Sequence, residues 1–319
     1  SNRESFMTEI AVLYPGAVGT AIAEALAACD QSCVSYLAGR SARTHENAGR
    51  AHIRALSSMD DVVLRADLVI SVVPPGAAIE VASRFAAKLL RTSRSAGRDR
   101  PPVFLDANSI SPATAVAIDA TIAGAGGRFV DGVFLGPAAP INRLTTLMLS
   151  GAEAPEVARM LSPPIPVKIA GTEIGQASAV KMAMALLTKA QIALFAELVS
   201  AAAKAACLDA TLDVIKQIYP GTMEFLERSL PTYPTHIHRR IEEMREAESW
   251  LDGLGETGAM TRAATLVLER LSATGLDRVA PQFRGVIGLI AECRPLAAAD
   301  QPGRTSQRHV GKRAARPAA

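Results

Sequence analysis

The stretch TEIAVLYPGAVGTAIAEAL (residues 8–26) decides the fold of the N-terminal half of this chain. Its first seven residues (8–14) predict a buried strand, PGAVG (15–19) predicts a tight glycine turn, and the alanine-rich remainder (20–26) predicts a helix. The first N–H groups of such a helix have no acceptor within it and face any anion at the turn. The stretch therefore predicts a site for the pyrophosphate of a dinucleotide, formed by Gly16, Ala17 and Val18.

The glycine pattern of this turn is incomplete. In the full form G-x-G-x-x-G, the first glycine makes the turn, the second admits the pyrophosphate and the third lets helix and strand approach. Gly16 and Gly19 match the second and third glycines, whereas Tyr14 stands in place of the first. On these residues alone, the alternative interpretation is an ordinary strand-to-helix turn.

The segment after the second predicted strand favours one form of the cofactor. Residues 34–38 predict that strand, and GRSART (residues 39–44) follows it. The end of this strand lies beneath the adenosine ribose, where an acidic residue binds a free 2′-hydroxyl and arginine suits a 2′-phosphate. Neither segment contains Asp or Glu, and Arg40 can form a forked pair with phosphate. We therefore expect NADP(H); a solvated surface arginine is the alternative. The residues expected to bind the cofactor here are Gly39, Arg40, Ser41 and Thr44.

Strands and helices alternate through the first half of the chain, which predicts an α/β fold with a Rossmann-like, doubly wound, mainly parallel sheet. Ligands bind beyond the carboxyl ends of the strands in such sheets. We expect Val73, Pro74 and Asn108 to bind cofactor and Ser109 to reach the substrate, although Asn108 suits a turn equally well. Further strands are predicted at 68–73, 103–106, 129–133, 144–149 and 167–170, and helices near 44–50, 59–65 and 77–90 and after Ser111.

One long helix is predicted over residues 174–206, which contain no proline and a single glycine. Apolar residues occupy nearly its whole circumference, so we expect it to be buried between domains or subunits. Lys181 and Lys189 interrupt this surface. Either can extend to solvent, but a lysine beside a low-dielectric cleft can have its pKa lowered enough to exchange protons.

The C-terminal half predicts an all-α domain. Arg239 and Arg240 can bind a substrate carboxylate or phosphate. The favoured alternative is a solvated helix face shared with the acidic residues at 242, 243 and 246. The predicted helices lie near 211–218, 222–229, 237–251 and 260–272. The expected division is a leader or tag remnant (1–6), a Rossmann domain (7–170), an all-α substrate and dimerisation domain (171–290) and a basic disordered tail (291–319).

Composition favours a cytoplasmic enzyme of about two domains, since the chain has 319 residues and charges interrupt its long apolar runs. Residues 1–6 lack the apolar core of a signal peptide. The four cysteines are scattered and His236 and His238 lack further ligands nearby, so no metal site is expected. Residues 294–319 contain six Lys or Arg, one acid and no aromatic residue. We interpret them as a solvated tail, and expect neither nucleic-acid binding nor a membrane span.

Five motifs occur in one order along the chain: GAVG (16–19), VVPP (72–75), DANSISP (106–112), DGV (131–133) and GQASAVK (175–181). From about Met7 to Leu271 this order resembles the β-hydroxyacid dehydrogenase and 6-phosphogluconate dehydrogenase superfamily. The long helix followed by RRIEEM (239–244) is most similar to a phosphogluconate-dehydrogenase-like subfamily that has its own C-terminal domain.

The resemblance implies hydride transfer between NADP(H) and a small-molecule hydroxy acid or alcohol, or its carbonyl, in a homodimer. It puts Lys181 at the catalytic lysine, as general acid or base, and Gly132 and Met184 near the substrate. Leu135-Gly136-Pro137 replaces the usual Ser-Gly-Gly anchor, and Met184 follows the lysine where asparagine is usual. These departures favour a larger or less polar substrate. Two alternatives stay open: an NADPH-dependent imine reductase, a class that generally replaces this lysine, and a noncatalytic NADP-binding protein.

Overall fold

The computed structural model describes residues 8–92 and 100–292, the side chain of residue 277 excepted. The predicted leader, Cys293 and all but the first two residues of the predicted tail lie outside this part of the chain.

Eight strands form one sheet in the order β3-β2-β1-β4-β5-β6-β7-β8. Neighbouring strands are parallel except for β6 and β7, which are antiparallel. The predicted α/β, doubly wound sheet is therefore confirmed. The strands are β1 (Ile10–Leu13), β2 (Cys33–Tyr36), β3 (Arg54–Leu56), β4 (Leu68–Ser71), β5 (Val103–Asp106), β6 (Arg128–Leu135), β7 (Thr146–Ser150) and β8 (Val167–Gly171).

Twelve α-helices lie in the described part of the chain. They are α1 (Ala17–Ala27), α2 (Ala42–Arg50), α3 (Met59–Arg65), α4 (Ala78–Thr92), α5 (Pro112–Gly124), α6 (Ala154–Leu161), α7 (Gln176–Lys204), α8 (Leu208–Ile218), α9 (Pro220–Ser229), α10 (Tyr233–Gly253), α11 (Ala259–Ala273) and α12 (Phe283–Glu292).

Four elements differ from the sequence-based expectation, and one of them is the helix α6, which was not predicted. The strand β3 was not predicted, because it is three residues long and two of them are exposed. The helix α10 begins at Tyr233, four residues before the predicted start near 237, because the proline in its first turn needs no N–H donor. The helix α12 was also not predicted, and it contains the first two residues of the predicted tail.

Both faces of the sheet are buried, as a doubly wound fold requires. Ile10 and Val12 of β1 pack in one hydrophobic cluster, and Ala11 and Leu13 pack in the other. Because successive side chains of a strand point to opposite faces, the two clusters lie on opposite sides of the sheet.

The first turn of α7 is fixed to the sheet through a buried carboxylate. Asp131 of β6 accepts hydrogen bonds from the backbone N–H of Ser178 at 3.0 Å and from its hydroxyl at 2.7 Å. Ser150 of β7 donates to the same carboxylate and accepts from the N–H of Ala177. A carboxylate at this place accepts hydrogen bonds from the unpaired N–H groups of the helix start, and its negative charge is attracted by the positive end of the helix dipole. The register of α7 against β6 is thereby set.

By length and composition α7 is apolar enough to cross a membrane, a test that core helices of soluble proteins also pass. Its lysines have protein partners: Lys181 donates to a backbone carbonyl of β6, and Lys189 pairs with Glu243. Lysines with partners inside the protein are typical of a core helix. That the chain has no membrane span stays our prediction.

The chain divides into two compact units. The first comprises the described residues up to 194 together with 238–269, and the second comprises 195–237 together with the described residues from 270 onward. The second unit is helical and has its own core, in which the rings of Phe195 and Phe283 stack 6.2 Å apart. The predicted domain limits 7–170 and 171–290 stay a prediction. All residues of the candidate site belong to the first unit.

Candidate functional site

The glycine turn between β1 and α1 is open to an incoming anion. Gly16 caps α1 without a side-chain hydrogen bond, and no acidic residue lies in the first turn. A Cβ atom added to Gly16 would meet no atom within 4 Å, whereas one added to Gly19 would lie 3.1 Å from Cγ1 of Val12. Gly16 thus leaves space above the helix start, and Gly19 permits the close approach of α1 to β1.

Tyr14 takes the place of the first glycine without changing the course of the turn. Its φ angle is +55°, in the left-handed region that glycine usually occupies. The incomplete glycine pattern therefore still forms a strand-turn-helix unit.

Arg40 lies beside this turn, at the end of the neighbouring strand β2. Its guanidinium carbon is 4.1 Å from the centroid of the Tyr14 ring. Its Nε atom is buried without a hydrogen-bond partner, and no carboxylate of the described residues pairs with it. Gly39 precedes it with a φ of +72°.

Ser41 and Thr44 begin the helix that follows Arg40. The Ser41 hydroxyl accepts from the N–H of Thr44, and the two hydroxyls lie 3.0 Å apart. Further along α2, the side-chain amide of Asn47 donates to the carbonyl of Pro15 at 3.1 Å. This bond ties α2 to the glycine turn.

A cavity of about 570 Å³ opens at the carboxyl ends of the central strands. It brings together residues from the glycine turn, from the segments after β4, β5 and β6, and from α7 and α10. Of the predicted site residues, those on its wall are Val18, Val73, Asn108, Ser109, Lys181 and Arg239; its other lining residues include Val72, Pro75, Phe134, Gly136, Glu242, Glu243 and Glu246.

Lys181 is half-buried on the wall of this cavity, and its Nζ donates to the carbonyl oxygen of Phe134 at 3.1 Å. Burial lowers its pKa from the ordinary value, because a charged ammonium is poorly solvated there. The charge of Glu243 opposes this shift, whereas those of Lys189 and Arg239 add to it. The amine is therefore more easily deprotonated than an exposed lysine.

Glu243 lies near three positive charges, those of Lys189, Arg239 and Lys181. Its carboxylate lies 2.7 Å from Nζ of Lys189 and 2.6 Å from Nη1 of Arg239. Burial raises the pKa of Glu243, but the neighbouring positive charges outweigh it and the net pKa is lowered. Glu243 is only 23% exposed. The favoured interpretation of a solvated acidic face is therefore wrong for Glu243, although Glu242 and Glu246 are exposed.

Asn108 is buried and joins the ends of β4 and β5. Its side-chain oxygen accepts from the N–H of Val73 at 2.6 Å, and its amide nitrogen donates to Asp106 at 2.8 Å. Burial raises the pKa of Asp106 to about 6, against the lowering effect of hydrogen bonds from Asn108, and Asp131 adds to the rise. The side chain of Asn108 thus holds the ends of β4 and β5 together where they border the cavity.

Ten predicted site residues do not line the cavity. Six of them lie at the glycine turn or after β2: Gly16, Ala17, Gly39, Arg40, Ser41 and Thr44. The other four are Pro74, Gly132, Met184 and Arg240. Gly132 lies within β6, where a Cβ atom would come 2.7 Å from Leu105, so packing accounts for this glycine. Met184 is 44% exposed on α7.

Of the lining residues that were not predicted as parts of the site, two act on Lys181: Glu243, which was assigned to a solvated face, and Phe134, whose carbonyl accepts a hydrogen bond from Lys181. Neither carries a local motif. Glu243 follows Lys181 by 62 positions, and only the three-dimensional fold brings them together.

Comparisons with known proteins agree with this architecture. Residues 202–271 match the family model DUF1932, a domain of unknown function. An uncharacterized 28.5 kDa protein from the 7S RNA 5′ region of Methanothermus fervidus is 28% identical over 222 residues, which cover 69% of this chain and 81% of that protein.

Several solved structures share the fold. A conserved hypothetical protein from Sinorhizobium meliloti is 27% identical with a TM-score of 0.72, over 90% of this chain and 97% of that one. The conserved protein MTH1747, described as similar in structure to 3-hydroxyacid dehydrogenases, is 25% identical with a TM-score of 0.69, over 83% and 97%. A Mycobacterium tuberculosis 3-hydroxyisobutyrate dehydrogenase with L-serine is 20% identical with a TM-score of 0.70, over 89% and 99%.

A Myxococcus stipitatus imine reductase in complex with NADP⁺ is more distant, at 17% identity and a TM-score of 0.53 over 88% of this chain and 98% of that one.

The open glycine turn and the cavity beyond the strand ends are the features of a Rossmann-like fold, and the solved structures show that this fold is similar to that of the hydroxyacid dehydrogenases. The chain matches the DUF1932 model over residues 202–271 and shares its fold with a conserved protein described as similar in structure to 3-hydroxyacid dehydrogenases. The resemblance stated from the motifs is thereby confirmed.

Proposed function

We propose that this protein is an NADP(H)-dependent oxidoreductase that transfers a hydride between nicotinamide and a hydroxy acid or alcohol, or its carbonyl, with Lys181 as general acid and base. One observation carries the proposal: Lys181 lines the same cavity as Val18 of the glycine turn and Ser109 beyond β5. A proton-exchanging amine and the expected reaction site therefore share one cleft.

The residues at the turn fit a dinucleotide. The space above Gly16 admits a pyrophosphate, and the helix start supplies N–H donors for it. Arg40, with no carboxylate partner among the described residues, is available to a 2′-phosphate. Gly39, Ser41 and Thr44 complete this end of the site in the proposal. A Myxococcus stipitatus imine reductase of the same fold is described with NADP⁺, and a variant of it with NAD⁺.

When bound, the nicotinamide gives or accepts the hydride. In the reductive direction the ammonium of Lys181 donates a proton to the carbonyl oxygen, whose carbon receives the hydride; in the oxidative direction the neutral amine takes the hydroxyl proton. The Phe134 carbonyl orients the amine, and burial lowers its pKa, so the neutral form is easier to reach than it is for an exposed lysine. The Asp131–Ser178 contact fixes the helix that carries it.

The charged and apolar residues that line the cavity indicate how polar the substrate is. Arg239 is paired with Glu243, which reduces its availability to a substrate carboxylate. Val72, Val73 and Phe134 give part of the cavity wall an apolar character. We therefore favour a substrate larger or less polar than a small hydroxy acid, with Ser109 as a polar contact.

An imine reductase is the second candidate, because proteins of that class share the fold and the cavity has an apolar wall. Lys181 weighs against it. A noncatalytic NADP-binding protein is the third candidate, because the glycine pattern is incomplete at Tyr14; the turn nevertheless leaves space for a pyrophosphate above Gly16.

A homodimer is part of the proposal. Met184, Leu187 and Leu194 form an exposed apolar row on α7, which a second copy of the chain would cover. Sedimentation at working concentration tests this: a stable monomer would overturn it. The cytoplasmic location stays a prediction.

The function is tested with a panel of carbonyls, hydroxy acids and cyclic imines, followed by NADPH absorbance. Lys181→Met is expected to abolish turnover of carbonyls while NADPH still binds. Lys204→Met, at an exposed lysine on the same helix, is the matched control and is expected to keep full activity. Full carbonyl reduction by Lys181→Met would reject the proposed role.

A further inference from the structure

We infer that Tyr14 is a specificity-determining residue for the cofactor, and that it acts by positioning Arg40 for the 2′-phosphate. The inference rests on the proposed function, because it needs an NADP(H) site at this turn. It gives a physical reason for the tyrosine that occupies the first position of the glycine pattern.

The Tyr14 ring and the Arg40 guanidinium form a close pair. The guanidinium carbon stands 4.1 Å from the ring centroid, within the range of a cation–π contact. The ring is half-buried and packs against the hydrophobic cluster below it, so its position is fixed by the core. Arg40 is half-buried as well.

The pairing leaves the guanidinium without an acidic partner. An arginine at the end of a strand usually meets solvent or a carboxylate, but no carboxylate of the described residues contacts Arg40. Its Nε is buried without a hydrogen bond. The ring therefore holds the cation while leaving its terminal N–H groups for an anion, and the fixed geometry reduces the conformational entropy lost on binding.

The backbone at Tyr14 shows that the ring is not required for the turn itself. A φ of +55° disfavours any residue other than glycine, asparagine or aspartate. Glycine would make the same turn without this strain, so the backbone conformation gives no reason for a tyrosine at this position. The contact between Asn47 and Pro15 independently holds α2 to the turn.

The test compares Tyr14→Gly and Tyr14→Phe with the unaltered protein. Glycine keeps the backbone conformation and removes the ring, whereas phenylalanine keeps the ring and removes the hydroxyl. Calorimetry gives Kd for NADPH, NADH, adenosine 2′,5′-bisphosphate and AMP. The ratio within each pair isolates the 2′-phosphate, because the two members of a pair differ in that group alone.

We expect Tyr14→Gly to reduce the preference for the phosphorylated ligand about 3-fold to 10-fold, and Tyr14→Phe to retain it within about 2-fold. An unchanged preference in Tyr14→Gly, or an equal loss in both variants, would overturn the inference. If Arg40→Ala reduces the preference and Tyr14→Gly does not, only the role of Tyr14 fails. If the unaltered protein prefers neither phosphorylated ligand, the NADP(H) assignment fails, and this inference fails with it.

Discussion

The Nζ atom of Lys181 and the carbonyl oxygen of Phe134 lie 3.1 Å apart, and this hydrogen bond joins α7 to β6 for a second time. The first connection runs from Ser178 to Asp131. Ser178 and Lys181 are three positions apart on α7, and Asp131 and Phe134 are three positions apart on β6. A rigid strand thus sets both the start of the helix and the direction of the amine that the proposed chemistry uses.

The pH dependence of reduction is expected to follow Lys181. Its ammonium form is the proton donor, so the reductive rate falls as pH rises through its pKa, about tenfold per pH unit above the midpoint. Burial sets that midpoint below the ordinary 10.5. Glu243→Gln removes a charge that raises the pKa, so the midpoint moves to lower pH. Glu242→Gln, at an exposed carboxylate, is the control and is expected to leave it in place. Equal midpoints in the unaltered protein, Glu243→Gln and Glu242→Gln would contradict the assignment of Lys181 as the proton donor.

The contact between Ser178 and Asp131 is expected to stabilise the fold. Ser178→Ala leaves a buried carboxylate with one donor fewer, which costs about 1–3 kcal/mol of unfolding free energy. Denaturant unfolding measures the loss. Ser83→Ala removes an exposed hydroxyl that bonds only its own helix, and it is expected to change stability by less than about 0.5 kcal/mol. Equal losses in the two variants would show that the buried contact has no special role.

Much of the fold follows from the sequence because its signals are local. Periodic apolar runs and proline or glycine stops predict the helix Met59–Arg65 and the strand Val103–Asp106 with the bounds that the structure has. The strand Arg54–Leu56 escapes prediction because it is short and its place is set by pairing with β2. Local propensity carries no information about such a partner.

The candidate site is less predictable because its walls come from distant parts of the chain. Lys181 was found through its motif. Glu243 lies on a helix formed far along the chain, and its ion pair with Lys189 has no sequence signature. The side-chain polar atoms of Asn108 form hydrogen bonds within the protein. The sequence alone could not distinguish this role from that of a turn asparagine or a ligand-binding asparagine.

Cofactor preference is expected to depend on Arg40. Arg40→Ala removes a charge-assisted contact worth about 1.5–3 kcal/mol, so NADPH binding weakens about 10-fold to 100-fold while NADH binding changes little. Titration calorimetry with both nucleotides measures the difference. Arg50→Ala is the matched control, because it removes the same charge from α2 at a residue that faces Glu24. An unchanged ratio of the two Kd values in Arg40→Ala would mean that this arginine does not read the phosphate.

Asp106 is expected to make stability depend on pH. Its folded pKa is raised from 3.8 to about 6, so the folded protein binds its proton more tightly than the unfolded chain. The resulting stability is fully present below about pH 4 and is lost as pH rises through 6, by on the order of 2–3 kcal/mol. Unfolding free energies between pH 4 and 7 are compared for the unaltered protein and Asp106→Asn. The variant cannot titrate there, so its curve should lack this decline. Parallel curves would show that Asp106 titrates as it does in the unfolded chain.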